Sequence, residues 1–307
     1  MNTPQGTTSF WDEVRAGIRE EAESILLENL EVEYRTCPTL GEGEEEALEA
    51  AIHDRVDGII IFPSSPHTLR PAIRRASRAN IPVVCVATDA PQSGRLGMVA
   101  IDTLASGSIA ADLMGRFLHG RSGSVAVTVF DMDITEHAEK YAAFQSTLRN
   151  FYPNLNTLDP IEDHDLEKEA YRKCHKLFEE QVDLAGIYVT TEASIPVLKA
   201  AQDANLLDRL TIITTDLFPG LVPYIRSGAV VATIYQRPRA QGEMALRLLH
   251  EFLAEGGRRS HQLALAPHLV MRGNLDFFLR RQSQESSSRE RRRTPREADQ
   301  GFAEDFA

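Results

Sequence analysis

Residues 211–242 read TIITTDLFPGLVPYIRSGAVVATIYQRPRAQG. A run of β-branched residues, Thr211 to Thr215, ends in Asp216, and a second apolar run, Val230 to Tyr235, ends in Gln236 with Pro238 just beyond. The pattern predicts strand, turn, short helix, strand and helix entry. In an open parallel sheet the ligand crevice lies at the carboxyl ends of the strands, which positions Asp216 and Gln236 to converge on one small polar ligand. An acid at the end of a strand also suits the N-cap of the following turn, and Asp216 can serve both roles.

Working outward, the same rhythm fills the chain. Apolar residues at helical spacing (Phe10, Val14, Ile18, Ala22, Ile25) predict an opening helix, LEVEYRT (30–36) alternates as a strand, and the acids of 42–49 suit the start of a helix. VDGIIIFPSS and IPVVCVATDAP are continuous apolar strands flanking a basic helix over 69–80, the second ending in Asp89. After a break around 101–106 come SVAVTVF, the helix 135–152, LAGIYVTT and the opening stretch. Continuous apolar strands alternating with helices predict an α/β fold with parallel sheets covered on both faces, and the broken rhythm predicts two similar lobes.

With 307 residues the chain is long enough for two cores, and its 42% apolar and 25% charged content is that of an ordinary globular protein. A formal charge of −12 opposes a bare nucleic-acid-binding surface. Cys37, Cys85 and Cys174 are far apart, with neither a disulfide framework nor zinc spacing. No stretch approaches a membrane span, and MNTPQGTTSFW lacks the basic start and apolar core of an export signal, so the expected location is the cytoplasm. No P-loop, G-x-S-x-G or metal triplet is present, so neither catalysis, a cofactor nor a metal is expected. Residues 282–307 have no apolar period and are expected to form a disordered tail, whose Arg289, Arg291, Arg292, Arg293 and Arg296 read first as a solvated cluster and second as a nucleic-acid contact.

Taken in order, SFWDEVRAGI, VDGIIIFP, PVVCVATDAP and TTDLFPGLVPYIRSG followed by ATIYQRPRAQG give a chain that resembles the type I periplasmic-binding-protein fold from about Thr3 to Leu279. That fold is shared by sugar-binding proteins of transport systems and by the effector domains of lactose-repressor-type (LacI-type) regulators. The resemblance implies two Rossmann-like lobes joined by three crossings, near 102–106, Gln236 and 266–271. One lobe would hold residues 1–103 and 237–264, the other 104–236 and 265–281. Phe10 and Trp11 would stack on a sugar ring, while Asp89, Asp216 and Gln236 would pair with its hydroxyls. Lys140, where many relatives have Arg, and His137 one turn earlier would face the same crevice. Thr191 stands, between Thr190 and Glu192, where an Asn is common.

The family also opens with a central strand that has no apolar counterpart before Asn2, so that first strand is expected to be missing. The resemblance implies carbohydrate or polyol binding in an interlobe cleft. The first expectation is the sensing domain of a LacI-type regulator, a homodimer that reaches DNA only through an N-terminal head absent here. The alternative is a solute receptor of an ABC transporter, partnered by a permease and located at the cell envelope.

Overall fold

The computed structural model describes residues 2–4, 9–25, 30–37, 42–164, 166–255 and 261–280. The expected tail, 282–307, lies outside them. In chain order the elements are β1 (Asn2–Pro4), α1 (Ser9–Ser24), β2 (Arg35–Cys37), α2 (Glu44–His53), β3 (Ile59–Ile61), α3 (Pro66–Arg78), β4 (Val83–Val86) and β5 (Gly97–Ile101). Then follow α4 (Thr103–Phe117), β6 (Gly123–Val129), α5 (Thr135–Phe151), β7 (Leu155–Thr157), β8 (Ile161–Glu162), α6 (Glu167–Glu180), β9 (Leu184–Val189) and α7 (Ser194–Asp203). The chain continues through β10 (Thr211–Thr215), α8 (Val222–Ser227), β11 (Ala232–Tyr235), α9 (Pro238–Glu255), β12 (His261–Leu265) and β13 (His268–Val270).

These strands form two sheets. The first runs β12-β5-β4-β3-β1-β2 with every pair parallel. The second runs β13-β11-β10-β9-β6-β7, with β8 also on β6, and its one antiparallel pair is β11 with β13. The expectation of an α/β protein with two lobes and mainly parallel sheets therefore holds.

The expected missing strand is corrected here. β1 occupies the slot between β2 and β3, pairing Asn2 with Arg35, Thr3 with Thr36 and Pro4 with Cys37, and Asn2 also with Ile61. Its pairing is made by backbone groups, so the polar sequence NTP carries no apolar pattern that would reveal it.

Each sheet is buried on both faces because its strands are continuously apolar. Ile60, Val84, Val86 and Val99 point to α1 and α9, whereas Ile59, Ile61, Val83 and Cys85 point to α2 and α3. In the second sheet Val125, Val127 and Ile213 pack with α4 and α5, and Ala126, Ile187 and Ile212 with α6, α7 and α8. Ser65 caps α3 by accepting from the Thr68 amide, and Pro66 then stands at the first helical position, where its missing N–H is harmless. Three passages join the lobes: β5 leads into α4 through Asp102, β11 into α9 through Gln236 and Arg237, and β12 into β13 through residues 266–267.

One helix pair on each lobe packs backbone to backbone at glycine. A methyl group on Gly242 of α9 would lie 2.1 Å from the Val14 carbonyl oxygen of α1, and one on Gly107 of α4 would lie 2.2 Å from the Lys140 carbonyl oxygen of α5. Gly242→Ala is therefore expected to force α1 and α9 apart and to lower stability by roughly 1–3 kcal/mol, the usual range for overpacking. Gly273→Ala, which meets nothing within 4 Å, is the control and should change little. Urea denaturation monitored by Trp11 fluorescence measures both.

Candidate functional site

β10 is followed at once by Asp216, whose backbone takes the left-handed region at φ 65°. Asp tolerates this conformation better than most residues because its short side chain bonds locally. Here the side chain does so across the strand ends. Oδ1 accepts from the Gln236 amide at 3.0 Å and Oδ2 from Gln236 Nε2 at 2.6 Å, while the Asp216 carbonyl accepts from Thr233 Oγ1 at 2.6 Å. The two strand-end residues therefore hold each other.

The amide oxygen of Gln236 accepts from Lys140 Nζ at 2.8 Å, and Lys140 also donates to Glu136 Oε1 one helical turn earlier on α5. Lys140 is fully buried. Burial opposes both charges, but their mutual attraction prevails: the Glu136 carboxyl is held below the usual carboxylate range and the Lys140 ammonium above the usual lysine range. For Asp216 burial prevails over its two hydrogen bonds and pushes the carboxyl up to about 6. On the far side of the crossing, Gln241 Nε2 of α9 donates to the Gln236 carbonyl at 2.8 Å.

His137 lies next to Glu136 and is buried, with Nδ1 3.1 Å from Thr190 Oγ1. The Thr190 hydroxyl proton goes to the Thr128 carbonyl at 2.9 Å, so Thr190 accepts from His137 and the imidazole proton sits on Nδ1. Burial pulls the imidazole down to about 4, which keeps it neutral at pH 7 with Nε2 as a lone-pair acceptor.

These residues enclose a cavity of about 60 Å³ between the lobes. Phe10, Trp11, Phe62 and Ala87 line it from the first lobe. Phe130, Ile134, Glu136, His137, Thr190, Thr191, Glu192, Asp216 and Gln236 line it from the second. Trp11 packs edge-on against Phe10 at 4.9 Å and Phe62 at 4.7 Å between ring centroids. A larger cavity of about 850 Å³ lies at the opposite strand ends, among Leu30, Leu48, Gly58, Leu246 and Leu253, away from this polar convergence. Among the described residues no group of three or more His, Cys, Asp or Glu is arranged to hold a metal ion.

Six of the eight residues expected from sequence thus meet at one cavity: Phe10, Trp11, His137, Thr191, Asp216 and Gln236. Two do not line it. Lys140 stands behind the wall, bonded to Glu136 and Gln236. Asp89 is gripped by Arg95, which donates to Oδ1 from Nε and to Oδ2 from Nη2 at 2.6 Å. Phe62, Phe130 and Glu136 were missed, although each follows from geometry visible in sequence: Phe62 and Phe130 end apolar strands, and Glu136 is one turn before Lys140.

A two-lobed α/β chain with polar residues from strand ends converging between its lobes is a cleft-binding protein. The chain belongs to the periplasmic binding protein domain family, which matches residues 1–258. Comparison with curated proteins gives no match. Among solved structures it is similar to GanP, a glucose-galactose binding protein from Geobacillus stearothermophilus, with 22% identity, 89% of this chain and 97% of that chain covered, and a TM-score of 0.82. An ABC transporter solute binding protein from Agrobacterium vitis with bound D-fucose gives 21% identity, coverage of 90% and 95%, and a TM-score of 0.84. A sugar ABC transporter's sugar-binding protein from Bacillus halodurans gives 24%, 91%, 98% and 0.80. The expectation of a cytoplasmic chain is overturned by this family, a periplasmic binding protein domain, and by these structural relatives, two of which are ABC transporter binding proteins.

Two outcomes test the buried network. Lys140→Met leaves Glu136 as an unpaired buried charge and should lower stability by about 3–5 kcal/mol, whereas Glu136→Gln combined with Lys140→Met should recover most of that loss in urea denaturation. For His137, a lowered folded pKa means that the unfolded chain binds the proton first, so its contribution is complete above an unfolded value of about 6.5 and is lost as pH falls toward about 4. Between pH 7.5 and 4.5 the wild type should therefore lose about 2–3 kcal/mol more than His137→Gln. The raised carboxyl of Asp216 acts with the opposite sign, and it is common to both proteins, so it drops out of this comparison.

Proposed function

We propose that this chain is the sugar- or polyol-binding receptor of an ABC transport system, taking its ligand in the cleft between the lobes and passing it to a permease. The observation that carries the reading is the meeting of Phe10 and Trp11 from one lobe with Asp216 and Gln236 from the other at a single cavity. Flat aromatic faces suit the C–H surface of a sugar ring, and a carboxylate offers several acceptor sites to hydroxyls at fixed spacing. The lobes divide at residues 1–103 with 237–264 and 104–236 with 265–281, and ligand closes the hinge between them.

The ligand contacts on this reading are Phe10, Trp11, His137, Thr191, Asp216 and Gln236. Lys140 is a positioning residue, because its ammonium fixes the amide of Gln236 from behind. The family and the solved structures favour the transport receptor over the LacI-type regulator. No observation on the described residues speaks for the homodimer or the DNA head that the regulator would require.

Thermal-shift measurements with pentoses, hexoses and polyols test the reading. A ligand present at one hundred times its Kd and bound only by the native state should add about 2.7 kcal/mol of apparent stability. Asp216→Ala and Gln236→Ala should each abolish most of that gain, and Asp89→Ala should not. A panel that leaves the transition unmoved sinks the carbohydrate reading.

A further inference from the structure

We infer that the hydrogen bonds linking Thr128, Thr190 and His137 make the cleft demand a proton donor from its ligand where the imidazole meets it. A hydroxyl is taken there, and a group that can only accept, such as an ether oxygen or a fluorine, is refused. This deepens the receptor reading above and rests on it.

The series of bonds starts in the backbone of the second sheet. The Thr128 carbonyl of β6 accepts from Thr190 twice, from its amide at 3.2 Å and from its hydroxyl at 2.9 Å. A hydroxyl has one proton, so with that proton on the carbonyl Thr190 Oγ1 can only accept from His137 Nδ1, 3.1 Å away. A neutral imidazole has one N–H. Fixing it on Nδ1 leaves Nε2 able to accept and unable to donate. Thr128 and Thr190 are both buried, so turning the hydroxyl round to reverse this order would give up a bond that is costly to lose.

The ring is also placed for contact. His137 stands in the first turn of α5, where its amide donates to the Ile134 carbonyl at 3.0 Å, and its ring lies 6.3 Å from that of Phe130. Both residues line the cavity together with Thr190. Nδ1, the nitrogen beside the ring's attachment, is the one turned to Thr190, and Nε2 on the outer edge is the one that meets ligand. Burial outweighs the pull of Glu136 and Asp131 toward a second proton, and Lys140 opposes that proton as well, so the ring stays neutral at pH 7. Against a neutral Nε2 a hydroxyl forms a bond, whereas a fluorine sets lone pair against lone pair in a desolvated place. Thr190 acts on this choice through the imidazole and is a positioning residue.

Two measurements on the full chain at pH 7 test this. In heteronuclear NMR of isotope-labelled histidine, with the His137 signals identified by their loss in His137→Gln, the proton is expected on Nδ1 in the wild type and in Thr190→Ser. In Thr190→Val, which keeps the shape and loses the hydroxyl, it is expected on Nε2. Isothermal titration then compares D-glucose, D-galactose, D-fucose, D-xylose and L-arabinose with analogues in which each hydroxyl in turn is replaced by fluorine. For a sugar that binds, fluorine at one position should weaken binding about tenfold or more in the wild type and less than about threefold in Thr190→Val, with the losses at other positions unchanged. Thr190→Ala takes the place of Thr190→Val if that variant does not fold, and the wild-type tautomer decides the point if neither does. A wild-type ring protonated on Nε2 or on both nitrogens, a tautomer unchanged without the hydroxyl, or fluorine losses that match at every position overturn the inference and leave the carbohydrate reading standing. Failure of every sugar to bind overturns the inference together with that reading.

Discussion

A fully buried ammonium governs the arrangement of this cleft. Lys140 is tolerated in the second lobe because Glu136 and Gln236 both accept from it, and an unpaired charge there would cost several kcal/mol. The position depends in turn on packing: Gly107 lets α4 approach the backbone of α5 at Lys140 itself. From the ammonium the order of contacts runs through the Gln236 amide to the Asp216 carboxylate. Side chains on a helix and on two strand ends are thereby fixed by a single set of hydrogen bonds.

Gln236 is also where the chain leaves the second sheet for α9, and its carbonyl is held by Gln241 on that helix. A residue that belongs to the proposed ligand wall is therefore part of the covalent passage between lobes. Its side chain is anchored in one lobe and its carbonyl in the other. On the proposed reading, contact with ligand and the relation of the two lobes are set by the same few bonds, and no relay through distant residues is needed to couple them.

Most of the fold was legible because buried parallel strands are continuous apolar runs, and Asp216 and Gln236 were legible because polar residues end two of them. The rest was hidden for separate physical reasons. β1 is three residues long and polar, so pairing through its backbone left no pattern. LEVEYRT alternates as a strand over 30–36, but pairing is confined to Arg35–Cys37, since alternation reports a half-buried face and says nothing of a neighbour. Lys140 was expected to face the cleft and stands behind its wall, bonded to Glu136 and Gln236. Spacing places it on the face of Glu136 and His137, yet cannot tell whether an ammonium reaches the ligand or stops at a carboxylate one turn away. Asp89 has the strand-end position of a ligand acid, and Arg95 six residues later takes both its oxygens.

Backbone geometry adds an independent sign that the strand ends are specialised. Ala87, Asp216 and Arg237 all take positive φ, at 68°, 65° and 58°, and all three stand at strand ends on or beside the cavity. For a residue with a side chain this conformation costs roughly 1–2 kcal/mol, and at Ala87 no side-chain hydrogen bond is available to offset it. Such strain persists only where surrounding structure over-determines it. At Asp216 the left-handed turn goes with a carboxylate that accepts from both the backbone amide and the side chain of Gln236. Burial there raises the acid to about 6. A carboxylate placed at the expense of backbone strain is one whose position the bonds around it over-determine.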